Sequence, residues 1–322
     1  LGTTALAAAA TLSTNAALAD VSISGSYEFK YLSRSSQITS LDGTTMNHGD
    51  TEMIVNFSNK TDSGLDLSFR YDIGAVESSD QALTGDEASL SISGGFGKVV
   101  LGTDDDASDS YGIDEMDIVA EEPTSSHASA SIGQSSSIGS SDAMKIAYHL
   151  PAMGGLTSGI SFADSGAAGG SDKTAYGLKY SMSAGGADVS IGYRASSTEG
   201  TSVDTDESNL GLKIVSGDIS MILATGKYEG SDEDRDNTGV GVSFAMPNGM
   251  TLGAYTFKSE DDLDVGEKFT RTGAEIEYSI ASGLTAFVNI DDYDYEVTTA
   301  NHEGTPTADN GTITQLTIQA TF

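Results

Sequence analysis

Nine carboxylates crowd one polar stretch of the chain: Asp104, Asp105, Asp106, Asp109, Asp114, Glu115, Asp117, Glu121 and Glu122. Hard cations take clustered carboxylate oxygens, so Asp104, Asp105 and Asp106 could hold Ca2+. The competing reading is a solvated anionic loop balanced by diffuse ions, and the spacing lacks the EF-hand pattern. The same two readings apply to the acidic runs at 231–236 and 260–264. Covalent chemistry finds less support. The chain has no Cys, which removes thiolate metal sites, thiol nucleophiles and disulfides. His48, His127, His149 and His302 are scattered, and no Gly-x-Ser-x-Gly segment supplies a nucleophile for a Ser/His/Asp site. The Gly-rich stretch at 166–170 lacks the preceding strand and following helix of a phosphate cradle. The sequence reads as that of a non-enzyme with no required cofactor, whose acidic side chains act through their field.

Bulk charge narrows the partners. Over 322 residues, 48 acidic side chains face 15 basic ones, a formal net charge of −33. Such a chain repels nucleic acid. A hydrophobic content of 38% suits a water-soluble protein, but equally a membrane barrel, where only alternate strand residues meet lipid. No uncharged apolar stretch of about 20 residues follows the N-terminal region, which excludes helical membrane spans. Residues 1–19 are uncharged and rich in Ala, Leu and Thr. They end Ala17-Leu18-Ala19 before Asp20, the small-x-small pattern of a cleaved signal peptide whose basic start is missing. Export is expected, with 20–322 as the mature part.

The elements that must position the acidic stretch are strands. In the last eleven residues Gln315, Thr317, Gln319 and Thr321 alternate with Leu316, Ile318, Ala320 and Phe322. A strand that ends the chain needs a partner for its backbone groups, so this tail closes something. The same alternation runs from Val21 to Tyr31, through Leu65, Leu67, Phe69, Tyr71 and Ile73, and onward. Seven tight turns, at 62–64, 94–97, 151–155, 183–186, 216–218, 247–249 and 281–283, alternate with eight long polar connections. Those lie at about 33–50, 74–86, 103–141, 165–172, 196–205, 229–236, 259–267 and 298–310. The layout joins sixteen antiparallel strands with both termini at the short-turn end, an all-β transmembrane barrel. Lipid offers no hydrogen-bond partners, so a spanning sheet cannot keep an edge. Apolar rows such as Met144, Ile146, Tyr148 and Leu150 must face lipid, because Lys or Arg at mid-depth costs about 2–4 kcal/mol. The rows of Lys145, Ala147 and His149, or Asn209, Gly211 and Lys213, then line a wet lumen. Facing is ambiguous on 251–258 and 285–295, where apolar residues occupy both rows.

At Gly94-Gly95-Phe96-Gly97-Lys98-Val99-Val100-Leu101-Gly102-Thr103 a tight turn leads into a short strand and then the acidic segment. With the start Asp20-Val-Ser-Ile-Ser-Gly25 and terminal Phe322, this resembles general bacterial porins, in particular the alphaproteobacterial, Rhodobacter-type branch. The likeness covers the chain from Asp20 onward. It implies a homotrimer of water-filled channels in the outer membrane, among lipid and lipopolysaccharide, passing small polar solutes and ions. It implies that the third long connection, about 103–141, folds inward as a constriction, and that Phe322 is a signal for the outer-membrane assembly machinery. Basic side chains are expected on the wall opposite that loop; Lys30, Arg34, Arg70, Lys98 and Lys145 are the matching positions here. The wall is thin in Arg, which favours cation preference. Two other functions stay open: a substrate-specific channel with Tyr111, Tyr293 and Tyr295 as a solute track, and an adhesive or tethering barrel sealed by 103–141.

Overall fold

A computed structural model describes residues 20–75, 83–121, 135–138, 143–164, 171–200, 204–231, 233–263, 267–297 and 308–322. Residues 1–19, where a signal peptide is expected, and Glu122 lie outside them. Strand β1 (Asp20–Ser36) pairs along one edge with the last strand, β17 (Asp309–Thr321), from Ser26↔Thr321 to Ser36↔Gly311. Along its other edge it pairs with β2 (Gly43–His48) and β3 (Thr51–Lys60), which lie end to end as one interrupted stave. The interruption has a local cause. A Cβ at Gly49 would stand 2.4 Å from Lys30 Cε and 2.5 Å from Glu28 Oε2. The next residue, Asp50, donates its N–H to that same Glu28 oxygen at 3.0 Å.

The remaining strands follow as an antiparallel meander. They are β4 (Asp66–Ala75), β5 (Leu83–Gly94), β6 (Gly97–Thr103), β7 (Met144–His149), β8 (Leu156–Ala163), β9 (Asp172–Ala184) and β10 (Ala187–Glu199). Then come β11 (Thr205–Ser216), β12 (Ile219–Glu229), β13 (Asp234–Ala245), β14 (Met250–Asp261), β15 (Lys268–Ala281) and β16 (Leu284–Glu296). With β2 and β3 counted as one, sixteen staves close into a barrel and no strand edge is left open. All seven tight turns fall where the sequence places them. At Gly185-Gly186 both residues have positive φ, 62° and 87°, as a two-residue hairpin turn matched to strand twist requires.

The two faces separate as expected. Ile146 is 61% exposed and Leu223 52%, pointing to lipid, while Lys145, next to Ile146, is 3% exposed. Tyr27, Tyr71 and Tyr180 also stand outward.

The long connections are shorter than the sequence suggests. β1 reaches Ser36, β10 reaches Glu199, β13 begins at Asp234 and β14 ends at Asp261. On these strand tops the polarity of the wall inverts. Thr256, Lys258, Glu260, Asp292, Asp294 and Glu296 face outward and are exposed, whereas Phe257, Phe269, Tyr293, Tyr295 and Ile313 form a buried inner cluster. Above the bilayer the outside is water, so the rule that sorts side chains lower down no longer holds there. This resolves the facing of 251–258 and 285–295.

Candidate functional site: an acidic segment docked on the inner wall

Leaving β6, the acidic segment turns onto the inner row of the barrel. Asp106 accepts from Lys145 of β7 at 2.9 Å and pairs with Lys173 of β9 at 2.8 Å; all three side chains are largely buried. The N–H of Ala107 donates to Ser161 Oγ of β8 at 3.0 Å. A 3-10 turn, Asp109–Tyr111, follows. Arg194 of β10 reaches Asp109, Ser137 and, at 3.7 Å, Asp114. The Tyr111 hydroxyl meets His149 Nδ1 at 2.7 Å. A second turn, Glu115–Ile118, is capped reciprocally: Met116 N–H donates to Asp114 Oδ1 at 2.9 Å and Asp114 N–H to Asp117 Oδ2 at 3.3 Å. Glu115, fully buried, accepts the N–H and hydroxyl of Ser136.

The far end reaches the seam of the barrel. Glu275 of β15 accepts the N–H groups of Ala120 and Glu121 at 2.8 and 3.0 Å. Asn289 of β16 donates to the Glu121 carbonyl at 2.8 Å. The Glu121 carboxylate pairs with Lys30 of β1 at 2.8 Å and accepts from Gln315 of β17 at 3.2 Å. The segment thus spans the inner wall from β7 to the junction of first and last strands.

A track of glycines makes this approach feasible. A Cβ at Gly192 would stand 2.4 Å from the Tyr111 carbonyl oxygen, one at Gly211 2.1 Å from that of Ile113, and one at Gly226 2.6 Å from that of Ser136. One at Gly241 would stand 2.8 Å from the Glu115 oxygen. Only hydrogen at these wall positions leaves room for the docked backbone.

The sequence expectation for charge is corrected here. Asp106, Asp114, Glu115 and Glu121 are buried anchors of the segment, and Asp109 is tied to Arg194. Carboxylates pressed against a wall lose hydration and persist only with partners. Asp105 and Asp117 remain exposed and Asp104 half-buried. Lys30 and Lys145 hold the segment. Arg70, on the far wall, pairs with Asp72 and, at 3.5 Å, Glu87, with Glu52 on the inner row of the neighbouring β3; Glu28 belongs instead with Lys30, at 3.5 Å, and Gln319. That wall is acid-rich around one arginine, not basic. Arg34 sits near the extracellular end of β1, opposite Ile313, and Lys98 is exposed on the inner row of β6. Lys173 and Arg194 were not singled out by sequence; their signal was their place in the inner rows of β9 and β10.

The Asp104–Asp106 triplet does not converge. Asp106 gives both oxygens to lysines and Asp104 Oδ1 accepts the Asp105 N–H at 2.9 Å. Among the described residues no three His, Asp or Glu side chains gather as a metal site. The tyrosine track is also overturned: Tyr111, Tyr293 and Tyr295 are all buried.

Burial, with Asp117 and Glu115 nearby, pushes the Asp114 carboxyl up to about 7, against the pull of Arg194 and the Met116 N–H. Burial likewise raises Glu121, which Lys30 partly offsets. A raised acid stabilises the folded state below its ordinary pKa and loses that contribution as pH rises through about 7. Relative to Asp114→Asn, the parent barrel should therefore gain melting temperature as pH is lowered from about 8 toward 5. A difference constant across that range would place the proton elsewhere.

Comparison with known proteins follows the geometry. The profile of the family described as Gram-negative porin matches residues 2–298. No curated protein matches the sequence. The fold is similar to an anion-selective porin from Comamonas acidovorans, with TM-score 0.67 and 17% identity over 94% of this chain and 100% of that one. It is also similar to a loop L8 deletion mutant of OmpT, an outer membrane protein of Vibrio cholerae, with TM-score 0.69 and 14% identity over 95% and 100%. A triple mutant of Rh. blastica porin gives TM-score 0.65 and 17% identity over 94% and 100%.

Proposed function

The chain belongs to the Gram-negative porin family, whose members are outer-membrane channels and not enzymes, and from that premise we propose a passive pore for small hydrophilic solutes that prefers cations. One observation carries the preference. The docked segment leaves Asp105 and Asp117 exposed, while Arg70 on the far wall is outnumbered by Glu52, Asp72 and Glu87. A narrowest passage bounded by carboxylates concentrates cations and repels anions. The Comamonas porin is named as anion-selective, but at 17% identity the likeness is one of fold, and the wall charges set the sign. The segment narrows the lumen as a constriction.

The pore assembles as a homotrimer in this reading, in keeping with a trimer form of Vibrio cholerae OmpT among the similar structures. Phe322, 85% exposed at the seam beside Gly25, serves as the assembly signal. Its surroundings are outer-membrane lipid and lipopolysaccharide.

The test is a reversal potential under a salt gradient. Asp105→Asn with Asp117→Asn should lower the cation-to-anion permeability ratio by roughly two- to threefold, since lumen charges tune selectivity. An unchanged reversal potential would remove these side chains from the conduction path, and a folded sample without conductance would reject the channel. Such a silent sample would instead favour a sealed, adhesive barrel.

A further inference from the structure

Three lysines just periplasmic of the docked segment have no place in its anchoring. Lys98 is the second residue of β6, in the same inner row as Val100, which packs with Ala107 of the segment. Its register partner His149 receives the Tyr111 hydroxyl. Lys179 lies two residues toward the tight-turn end from Gly177, where an added Cβ would stand 2.9 Å from Tyr111 Cβ and 3.0 Å from the Ser108 carbonyl oxygen. Lys213 stands in the same relation to Gly211, which abuts Ile113. Two residues along a strand span about 7 Å. Lys98 is exposed, Lys179 and Lys213 half-exposed, and none forms an ion pair among the described residues. Elsewhere on the segment's seat, cations are matched: Lys145 and Lys173 by Asp106, and Arg194 by Asp109.

The unneutralised charges are therefore offset along the pore axis. Asp105 and Asp117 belong to the docked segment, and Lys98, Lys179 and Lys213 follow on the periplasmic side. At Lys98 the two signs adjoin in one niche of about 160 Å³, lined also by Asp104, Asp105, Asp106, Asp109, Ser110 and His149 over a small apolar floor of Val100, Ala107 and Ala147, so that Lys98 marks the boundary from which Lys179 and Lys213 continue the positive side. A solute carrying one charge gains at one end of such an arrangement and loses at the other. A solute with an ammonium and a carboxylate several bonds apart gains at both.

We propose that Lys98, Lys179 and Lys213 form an anion-receiving arc beneath the constriction, so that the pore favours zwitterionic solutes such as short peptides, oriented with the carboxylate toward the periplasm. The proposal rests on the channel reading and goes beyond its cation preference. The same asymmetry makes the pore rectify.

Liposome swelling with glycylglycine and with an uncharged sugar of similar size tests it, on the parent and on Lys98→Gln/Lys179→Gln/Lys213→Gln. The parent should admit the dipeptide faster than the sugar. The variant should lose roughly two- to fivefold of that ratio with the sugar rate unchanged, a modest change because exposed charge pairs interact weakly. A ratio unaffected by the substitutions overturns the arc while the channel stands; no swelling with either solute sinks the channel and the arc together. Should the triple variant fail to fold, Lys179→Gln alone and the current–voltage curve of the uniformly inserted parent decide. A linear curve for the parent, or an unmoved ratio in the single variant, overturns the proposal.

Discussion

Gly211→Val is expected to drive the docked segment off the inner wall and raise single-channel conductance while leaving the barrel closed. Gly211 lies within β11, paired with Gly192 of β10 and Ala224 of β12, and its backbone is ordinary strand. Valine suits such a position by β propensity. Its side chain does not, since even a Cβ would stand 2.1 Å from the Ile113 carbonyl oxygen and 2.6 Å from the Ile113 Cβ. Overpacking of this kind costs about 1–3 kcal/mol, and the yielding partner is the segment, held by side chains, not the wall, held by a backbone ladder. Conductance in planar bilayers should rise on the order of twofold as the lumen widens. Unchanged conductance from a folded variant would mean that the segment does not narrow the path.

Leu223→Arg should sharply lower the yield of barrel folded into the membrane. Leu223 is 52% exposed at the middle of β12, paired with Leu212 and Val240, on a band of outward apolar side chains. An arginine there meets hydrocarbon at about 2–4 kcal/mol. Against a total folding stability of about 5–15 kcal/mol this is a large fraction. Ser220→Arg, three residues away on the inner row and half-exposed, is the control, and should fold with altered selectivity. Heat-modifiable mobility on gels reads both. A normal folded yield for Leu223→Arg would mean that this strand's facing is inverted.

These two substitutions separate the kinds of information in the chain. Facing at Leu223 was legible from alternation alone, because lipid on one side and water on the other sort every second residue. The seat at Gly211 was not. A glycine in an inner row looks like any small lumen residue until a second segment, more than ninety positions earlier, is laid against it. The facing of the strand tops at 256–258 and 292–295 stayed ambiguous for a related reason. Where both sides meet water the apolar row turns inward instead of outward, so the rule that sorts side chains lower down no longer tells the faces apart, although the backbone ladder continues.

The sequence by itself determined the barrel: its closure, its staves, its tight turns and its lipid face all follow from local period and from the need to pair every backbone group in a bilayer. Tertiary structure alone decided which charges remain available. Asp106, Asp109, Asp114, Glu115 and Glu121 read as a free acidic field, yet each is committed to a partner from a distant strand or turn, leaving Asp105, Asp117 and the three lysines beneath them exposed to the lumen. The physical reason is that neutralisation depends on contact between side chains within a few ångströms, and sequence separation says nothing of such distances.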